Sequence, residues 1–536
     1  MPRNLIPNRL SPKRRNGVLA AFLVVASIFV FAVDKIFDYA SPPTKAKDCD
    51  FVFPATADQT KPTSIIVRYP LHPPAFSQLG GFINDASCLN KTAVYGIAAI
   101  SSVDDIRNAL RFARENNLKV TTAGQRHSMG GQSFTKDGLV LDMRRFKQLN
   151  LDKAHKILNV QAGATWAQIQ RLLDQHGLAV KAMQSINIFT VGGALSVNAH
   201  GIAHDPGQVA PTVRAIRIML SNGEIKTASP TENPELFRLA LGGYGLFGVI
   251  LDADLDVVDN EVYKWNTKYL DYKDFPDYYA KNVEGNPRLG LAYGRLSISP
   301  GSYLTEAALH TFEKTDFQGP IEPIRPPGYD WLDRFIINFS KTGGFGRWTR
   351  WQLEKYVGPR VHPCLSRNER MSREEGCLVS RNEEMYDSMD YLKNRLKDTD
   401  ILQEYFIPPE KMADFVDGLR DVVTKNHANL LNVTIRIVHK DTVTALPYAR
   451  QDMFAFVLYF NQKLNDADSR RLQSTTTELI DLALRVNGTY YLPYQLFYTQ
   501  QQLHQAYPEI DALFQAKKIY DPIDLLSNKF YQKFAQ

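Results

Sequence analysis

The chain has 536 residues, 44% apolar and 22% charged, with a net charge of +6. Such a composition describes a folded body of several domains and excludes a disordered, collagen-like or cysteine-dense chain. Arg3, Arg9, Lys13, Arg14 and Arg15 put +5 in residues 1–16, leaving +1 for the rest, so a nucleic-acid binder built on a basic surface is excluded as well.

Behind the basic tail, residues 17–33 form an uncharged apolar run, GVLAAFLVVASIFVFAV. It reads either as a cleaved signal peptide, with Val30-Phe31-Ala32 as the small-residue site, or as an uncleaved signal anchor; its length favours the anchor. Both readings keep the positive tail in the cytoplasm and place the body outside, periplasmic or extracytoplasmic. Residues 1–45 are thus expected to be a cytoplasmic tail and anchor, and 46–91 a linker. Of Cys49, Cys88, Cys364 and Cys377, none forms a CxxC pair. An even count in an exported body suggests Cys49–Cys88 and Cys364–Cys377 disulfides, with other pairings and free thiols left open.

From Val94 an α/β pattern begins. Ser102 and Asp105 make a capping box, and Val103, Ile106, Leu110 and Ala113 recur at helical spacing. Strands are expected at 118–122, 139–143 and 157–161, and a helix from a Thr165 cap to Gly177. A second lobe opens at NIFTVGGALSVNAHG. It holds a strand over 214–220, a hairpin turn at Ser221-Asn222-Gly223, a helix capped by Asn233 with Pro234 first, and a strand over 249–258. Beyond Asn260 come strands and irregular segments, a Pro-rich break at 319–328, strands over 401–408 and 433–440, and a helical C-terminus.

GGYGLFG contains GxGxxG at Gly243, Gly245 and Gly248. A dinucleotide site needs a strand before this motif and a helix after it, and here the order is reversed. His200 and His204 have i,i+4 spacing, but the segment is bounded by Gly and Pro and lacks a third ligand, so no metal site is expected. The loop AGQRHSMGGQ (123–132) is more informative. It follows a strand and sets Gly124, Gly130 and Gly131 among the donors Gln125, Arg126, His127 and Ser128, which suits phosphate oxygens. A second Gly-rich loop, Thr190–Gly193, lies in the next lobe. Two such edges can hold one long phosphate-bearing cofactor, although each alone is only a glycine-rich loop.

VTTAGQRHS, GLVLDM, VQAGATW, TVGGALSVNAHG, NPELF and LGGYGLFGVI occur in this order. With them the chain resembles flavin oxidoreductases of the vanillyl-alcohol oxidase superfamily, over about 92–258 and again at 401–460 and DPIDLLSNKF. The middle and tail segments resemble decaprenylphosphoryl-ribose oxidases. The resemblance implies an α+β fold. Residues 92–258 would be a two-lobed PCMH-type FAD-binding domain and 259–500 a substrate (cap) domain on an antiparallel sheet. Residues 501–536 would pack back on the FAD domain. It implies FAD, held by Gly124, Gln125, Arg126, His127, Ser128, Gly131, Gln132, Ser185, Ile186, Thr190, Gly192, Gly193, Val197 and Ile250. In many members the histidine of a G-x-x-H-S loop is bonded to the flavin 8α-methyl carbon. The ribose oxidases lack that histidine, so His127 aligns the chain with the covalent sugar- and aldonolactone-oxidising branch. On the substrate side the resemblance points to His200, Glu404, Arg436, Lys440, Tyr491 and Tyr494. Alternation along 401–408 puts Leu402, Glu404 and Phe406 on one face.

The implied reaction is oxidation of a carbinol in a sugar, polyol, aldonolactone or lipid-linked sugar. A base (Glu404 or His200) takes the hydroxyl proton, and positive charge (Arg436 or Lys440) sits near the flavin N1–C2 edge. Oxygen and a membrane quinone are both open as acceptors; nucleic acid is not an expected partner. The alternative is a membrane-tethered flavoprotein binding module without turnover.

Overall fold

A computed structural model describes residues 34–42, 73–317, 319–321, 323–324, 330–357, 378–385 and 396–535. The apolar run 17–33, Cys49, Cys364 and Cys377 lie outside the described residues; Cys88 is disulfide-bonded. Among the described residues, no helix is long and apolar enough to cross a membrane.

Three sheets organise the body. The first orders strands Phe76–Leu79, Gly96–Ala99, Leu139–Asp142 and Val120–Ala123, the last three mutually parallel. Helix Val103–Glu115 covers it through Ile106, Leu110 and Ala113, and its Ser102–Asp105 capping box forms as the sequence predicts. The second sheet is antiparallel and orders Ile225–Ala228, Val213–Met219, Val249–Asp259, Ile157–Gln161 and Leu149–Asp152; Leu178–Val180 pairs the far end of Val249–Asp259. The third is an eight-stranded antiparallel sheet running Leu378–Ser380, Val262–Asp271, Glu306–Lys314, Leu289–Leu296, Asn429–Val438, Met453–Lys463, Asp398–Ile407, Thr489–Tyr490. A large hydrophobic core joins all three sheets.

Local departures have identifiable causes. Asn233 does not cap its helix: it sits at φ 47°, and its Nδ2 donates to Thr227 O instead. Pro234, which needs no N–H partner at the first helical position, starts Pro234–Ala240. The segment after Thr190 is a short helix, Val191–Ser196, rather than an open loop. Leu149–Asp152 is a strand with a half-exposed face, which weakens its alternation signal. The two later strands start earlier than their apolar runs, at Asp398 and Asn429, and the second ends at Val438, before His439 and Lys440.

The C-terminal segment lies against the first sheet. Val120 N donates to Leu525 O and Ser527 N to Val120 O, so residues 525–527 run parallel beside the strand Val120–Ala123. Asp521 fixes the approach. Its carboxylate accepts from Leu525 N and Leu526 N and pairs with the fully buried Lys517 at 2.8 Å.

Candidate active site

The strand Val120–Ala123 delivers the chain into the first glycine-rich loop. Gly124 is required there, because a Cβ would lie 2.0 Å from Thr190 Oγ1. The two glycine-rich segments therefore touch. Arg126 takes φ 60°, and its buried guanidinium donates to Asn84 O at 2.7 Å. Asp85 accepts from Gly131 N at 3.0 Å and from Ser87. On the other side, Gln132 Nε2 donates to Leu492 O and Tyr494 O, and Met129 N to Pro493 O. The loop is thus clamped between residues 84–87 and 491–494. Burial pushes the Asp85 carboxyl up to about 6 against the hydrogen bonds it accepts.

His127 is half-buried at the cleft, its ring centroid 4.1 Å from that of Phe189. Burial first, then the neighbouring Arg126 guanidinium, push its pKa well below the ordinary imidazole value. The ring is neutral at physiological pH and carries a lone pair.

The second segment contributes Thr190, Gly193 and Val197 to the same cleft. Gly192 does not face it. Its N–H donates to Ala162 O, and a Cβ would meet Ala162, so this glycine serves helix–strand packing.

The substrate side comes from one face of the third sheet. Glu404 pairs with Val457 and Arg436 with Ala455, so Glu404, Arg436, Val457 and Leu402 project together from adjoining strands. His200 Nε2 lies 2.5 Å from Glu404 Oε1, both side chains 1% exposed. The two atoms approach off the line of an ideal hydrogen bond. Burial opposes ionisation of Glu404, but its neighbours His200 and Arg436 and the Tyr494 hydroxyl together hold its carboxyl below the usual glutamate value. Tyr494 Oη donates to Glu404 Oε2 at 3.3 Å. Burial, with the Glu404 charge, keeps that phenol protonated far above its ordinary pKa. Tyr491 Oη donates to Val197 O, and its N–H to Glu404 O, tying the 491–494 segment to both lobes. Arg436 reaches His200 O with Nη1 at 3.4 Å, while its Nε is buried without a partner.

These residues line one cleft. Gly124, Gln125, Arg126, His127, Ser128, Ser185, Ile186, Thr190, Gly193 and Val197 border it from the cofactor side, and His200, Glu404, Arg436, Tyr491 and Tyr494 from the other. Five expected positions are elsewhere. Gly131 and Gln132 brace the loop from behind, Gly192 packs on Ala162, and Ile250 is buried in the second sheet. Lys440 is exposed beyond the strand end, its backbone N–H on Asp452. The sequence reading missed Gln184, Phe189, Val457 and Pro493 as lining residues, none of them bearing a distinctive side-chain signal. His204 faces away, with Nε2 on Leu289 O, so the two histidines of HGIAH do not converge.

The lining concentrates unsatisfied groups: Gln184 Oε1, Ser185 Oγ, His200 Nδ1 and Arg436 Nε are buried without partners. Native interiors rarely leave such atoms orphaned, so a polar ligand belongs here. A cleft running from a glycine-rich loop to a charged pair fits a long cofactor with a phosphate at one end and a redox ring at the other.

Comparison with known proteins agrees with that geometry. The family model for the FAD binding domain matches residues 95–229. The chain is 33% identical over 271 residues to a Neurospora crassa protein named for D-arabinono-1,4-lactone oxidase, covering 49% of this chain and 46% of that one. It is 32% identical over 159 residues to L-gulonolactone oxidase of Bos taurus, covering 30% of this chain and 36% of that one. With decaprenylphosphoryl-β-D-ribose oxidase of Mycolicibacterium smegmatis it shares 30% over 172 residues, covering 31% and 37%. The matched segments thus span less than half the length of these curated relatives. Residues 95–229 are an FAD-binding domain of the PCMH type, the chain is similar over part of its length to these oxidases, and its cofactor is FAD.

Proposed function

We propose that the protein is an FAD-dependent oxidoreductase that oxidises a carbinol carbon of a sugar, polyol, aldonolactone or lipid-linked sugar. The observation that carries this reading is the buried His200–Glu404 pair, set in the same cleft as the FAD-binding loop. When bound, FAD supplies the two-electron acceptor for the carbinol hydrogen. The chain supplies the proton chemistry. Glu404, held as a carboxylate, keeps a proton between itself and His200 Nε2 and leaves His200 Nδ1 without a partner. That nitrogen takes the hydroxyl proton, and Glu404 stabilises the imidazolium that results. Arg436 adds positive charge beside the pair, and its unpaired Nε–H is a donor for the pyrimidine edge of the ring system or the substrate oxygen. Tyr494 holds the second Glu404 oxygen.

His127 is, in this reading, the covalent attachment point for the flavin methyl carbon. A neutral imidazole in a clamped loop supports it. The test of the activity is anaerobic flavin bleaching across a panel of aldonolactones, polyols, sugars and lipid-linked pentoses. At least one class should bleach the bound flavin within seconds; a yellow, folded protein that none of them bleaches contradicts the proposal.

A further inference from the structure

Helices Asp330–Ser340 and Gly344–Gln352 form a hairpin that does not belong to the oxidation chemistry. Its outer surface is aromatic. Trp331, Phe345 and Trp348 are exposed to 57%, 71% and 46%. The rings run on from one another: Tyr39 to Phe335 at 6.3 Å, Phe335 to Phe339 at 5.8 Å, Phe339 to Phe345 at 6.0 Å and Phe345 to Trp348 at 5.8 Å. Scattered exposed apolar residues need no explanation, but a contiguous ribbon marks an interaction surface.

The helix over 34–40 is seated on this hairpin. Asn338 Nδ2 donates to Tyr39 O and Arg334 Nη1 to Ala40 O, both at 3.0 Å. Its own Ile36 and Phe37 are exposed to 54% and 58%. On the inner side of the hairpin, Ile337 packs with Leu431 and Tyr459 in one cluster that also takes in Ile186 and Leu402, two residues of the cleft wall.

We propose that this aromatic face docks into the interfacial layer of a phospholipid bilayer and so holds the cleft against the membrane. The occupant follows from what precedes the seated helix. Residues 17–33 are an uncharged apolar run, and only the helix over 34–40, about 10 Å long, separates that run from the ribbon. Any bilayer that takes up the run meets the aromatic face. The residues also suit it: Trp, Phe and Tyr gather at the boundary between headgroups and acyl chains, where an amphipathic helix lies flat. This docking is independent of the substrate. It also gives an amphiphile, such as a lipid-linked sugar or a quinone, a short route from the bilayer to the cleft wall at Ile186 and Leu402.

The experiment uses the full-length, flavin-loaded chain in vesicles of equal parts phosphatidylcholine and phosphatidylglycerol, with and without brominated acyl chains. The chain has five tryptophans, of which Trp166 and Trp351 are buried. Brominated lipid should quench a fraction of the emission, and the W331F/W348F double variant should lose most of that fraction. Phe345→Glu should weaken quenching while the protein stays with the vesicles. Retained flavin shows that each variant is folded. The proposal is overturned if vesicle-bound wild type is not quenched, or if the double variant is quenched as strongly as wild type. It is equally overturned if Trp331 and Trp348 become protected from an aqueous quencher only as protein concentration rises, without lipid, since a second copy then covers the face.

Discussion

Replacing Glu404 by Gln keeps the shape of the side chain and removes the charge that the His200 proton leans on. At an N···O separation of 2.5 Å, a full ion pair is worth about 7 kcal/mol at an effective dielectric near 20. Burial of both groups offsets much of this, and only the part gained as His200 becomes cationic accelerates the reaction. Losing one preorganised electrostatic contact of this kind costs about 2.7–4 kcal/mol, or roughly 100- to 1000-fold in rate. The assay is anaerobic stopped-flow bleaching of the flavin with a turned-over substrate, after the bound flavin has been shown equal to wild type by absorbance. The pH profile adds a second readout. Protonation of the Glu404 carboxyl, held below its ordinary 4.5, should add an acid limb to the wild-type profile that Glu404→Gln lacks. Flavin reduction within about threefold of wild type, less than 1 kcal/mol, would refute the assignment of the pair as proton acceptor.

Four further outcomes follow from the geometry. His127→Ala should release its flavin to the supernatant on acid precipitation while wild type keeps it in the pellet; acid release from wild type shows that His127 is a contact residue only. Gly124→Ala should lower the flavin-to-protein ratio, with an overpacking cost of about 1–3 kcal/mol against Thr190 Oγ1, and adding Thr190→Ala should restore flavin; no restoration would place the strain elsewhere. The raised pKa of Asp85 means that its favourable contribution is complete below 3.8 and is lost as pH rises through about 6, a change of about 3 kcal/mol; Asp85→Asn should flatten the pH dependence of denaturant unfolding across that window. Lys440→Ala should leave flavin reduction unchanged, since the side chain is exposed beyond the strand end; a large slowing would mean the cleft extends to it.

What the sequence made legible was whatever local chemistry dictates. The Ser102 capping box and the Thr165 cap form as read, and the order around GGYGLFG is helix before and strand after, also as read. Alternation along 401–408 placed Leu402 and Glu404 on one face, and both line the cleft. Contacts made by distant parts of the chain were not legible. No spacing rule pairs His200 with Glu404, and nothing in Gly192 distinguishes a glycine that faces a ligand from one that faces Ala162. Lys440 failed for a simpler reason: the strand ends at Val438, so alternation no longer governs where its side chain points. The hairpin over 330–352 was hidden by its own composition, because an aromatic outer face blurs the polar stripe that normally identifies a surface helix.

The junction between residues 525–527 and Val120 bears on how the protein is made. The strand that carries the glycine-rich loop obtains one of its two hydrogen-bonded neighbours from residues 525–527, far later in the chain. Lys119 reaches the same segment through Asp524, and Lys529 N bonds back to Phe134 O just past the glycines. A nascent chain therefore holds its first lobe with an open sheet edge until residues 525–527 emerge, an edge prone to wrong pairings. The loop's sheet is complete only when this pairing has formed, so deletion of residues 525–535 should cost cofactor as well as stability.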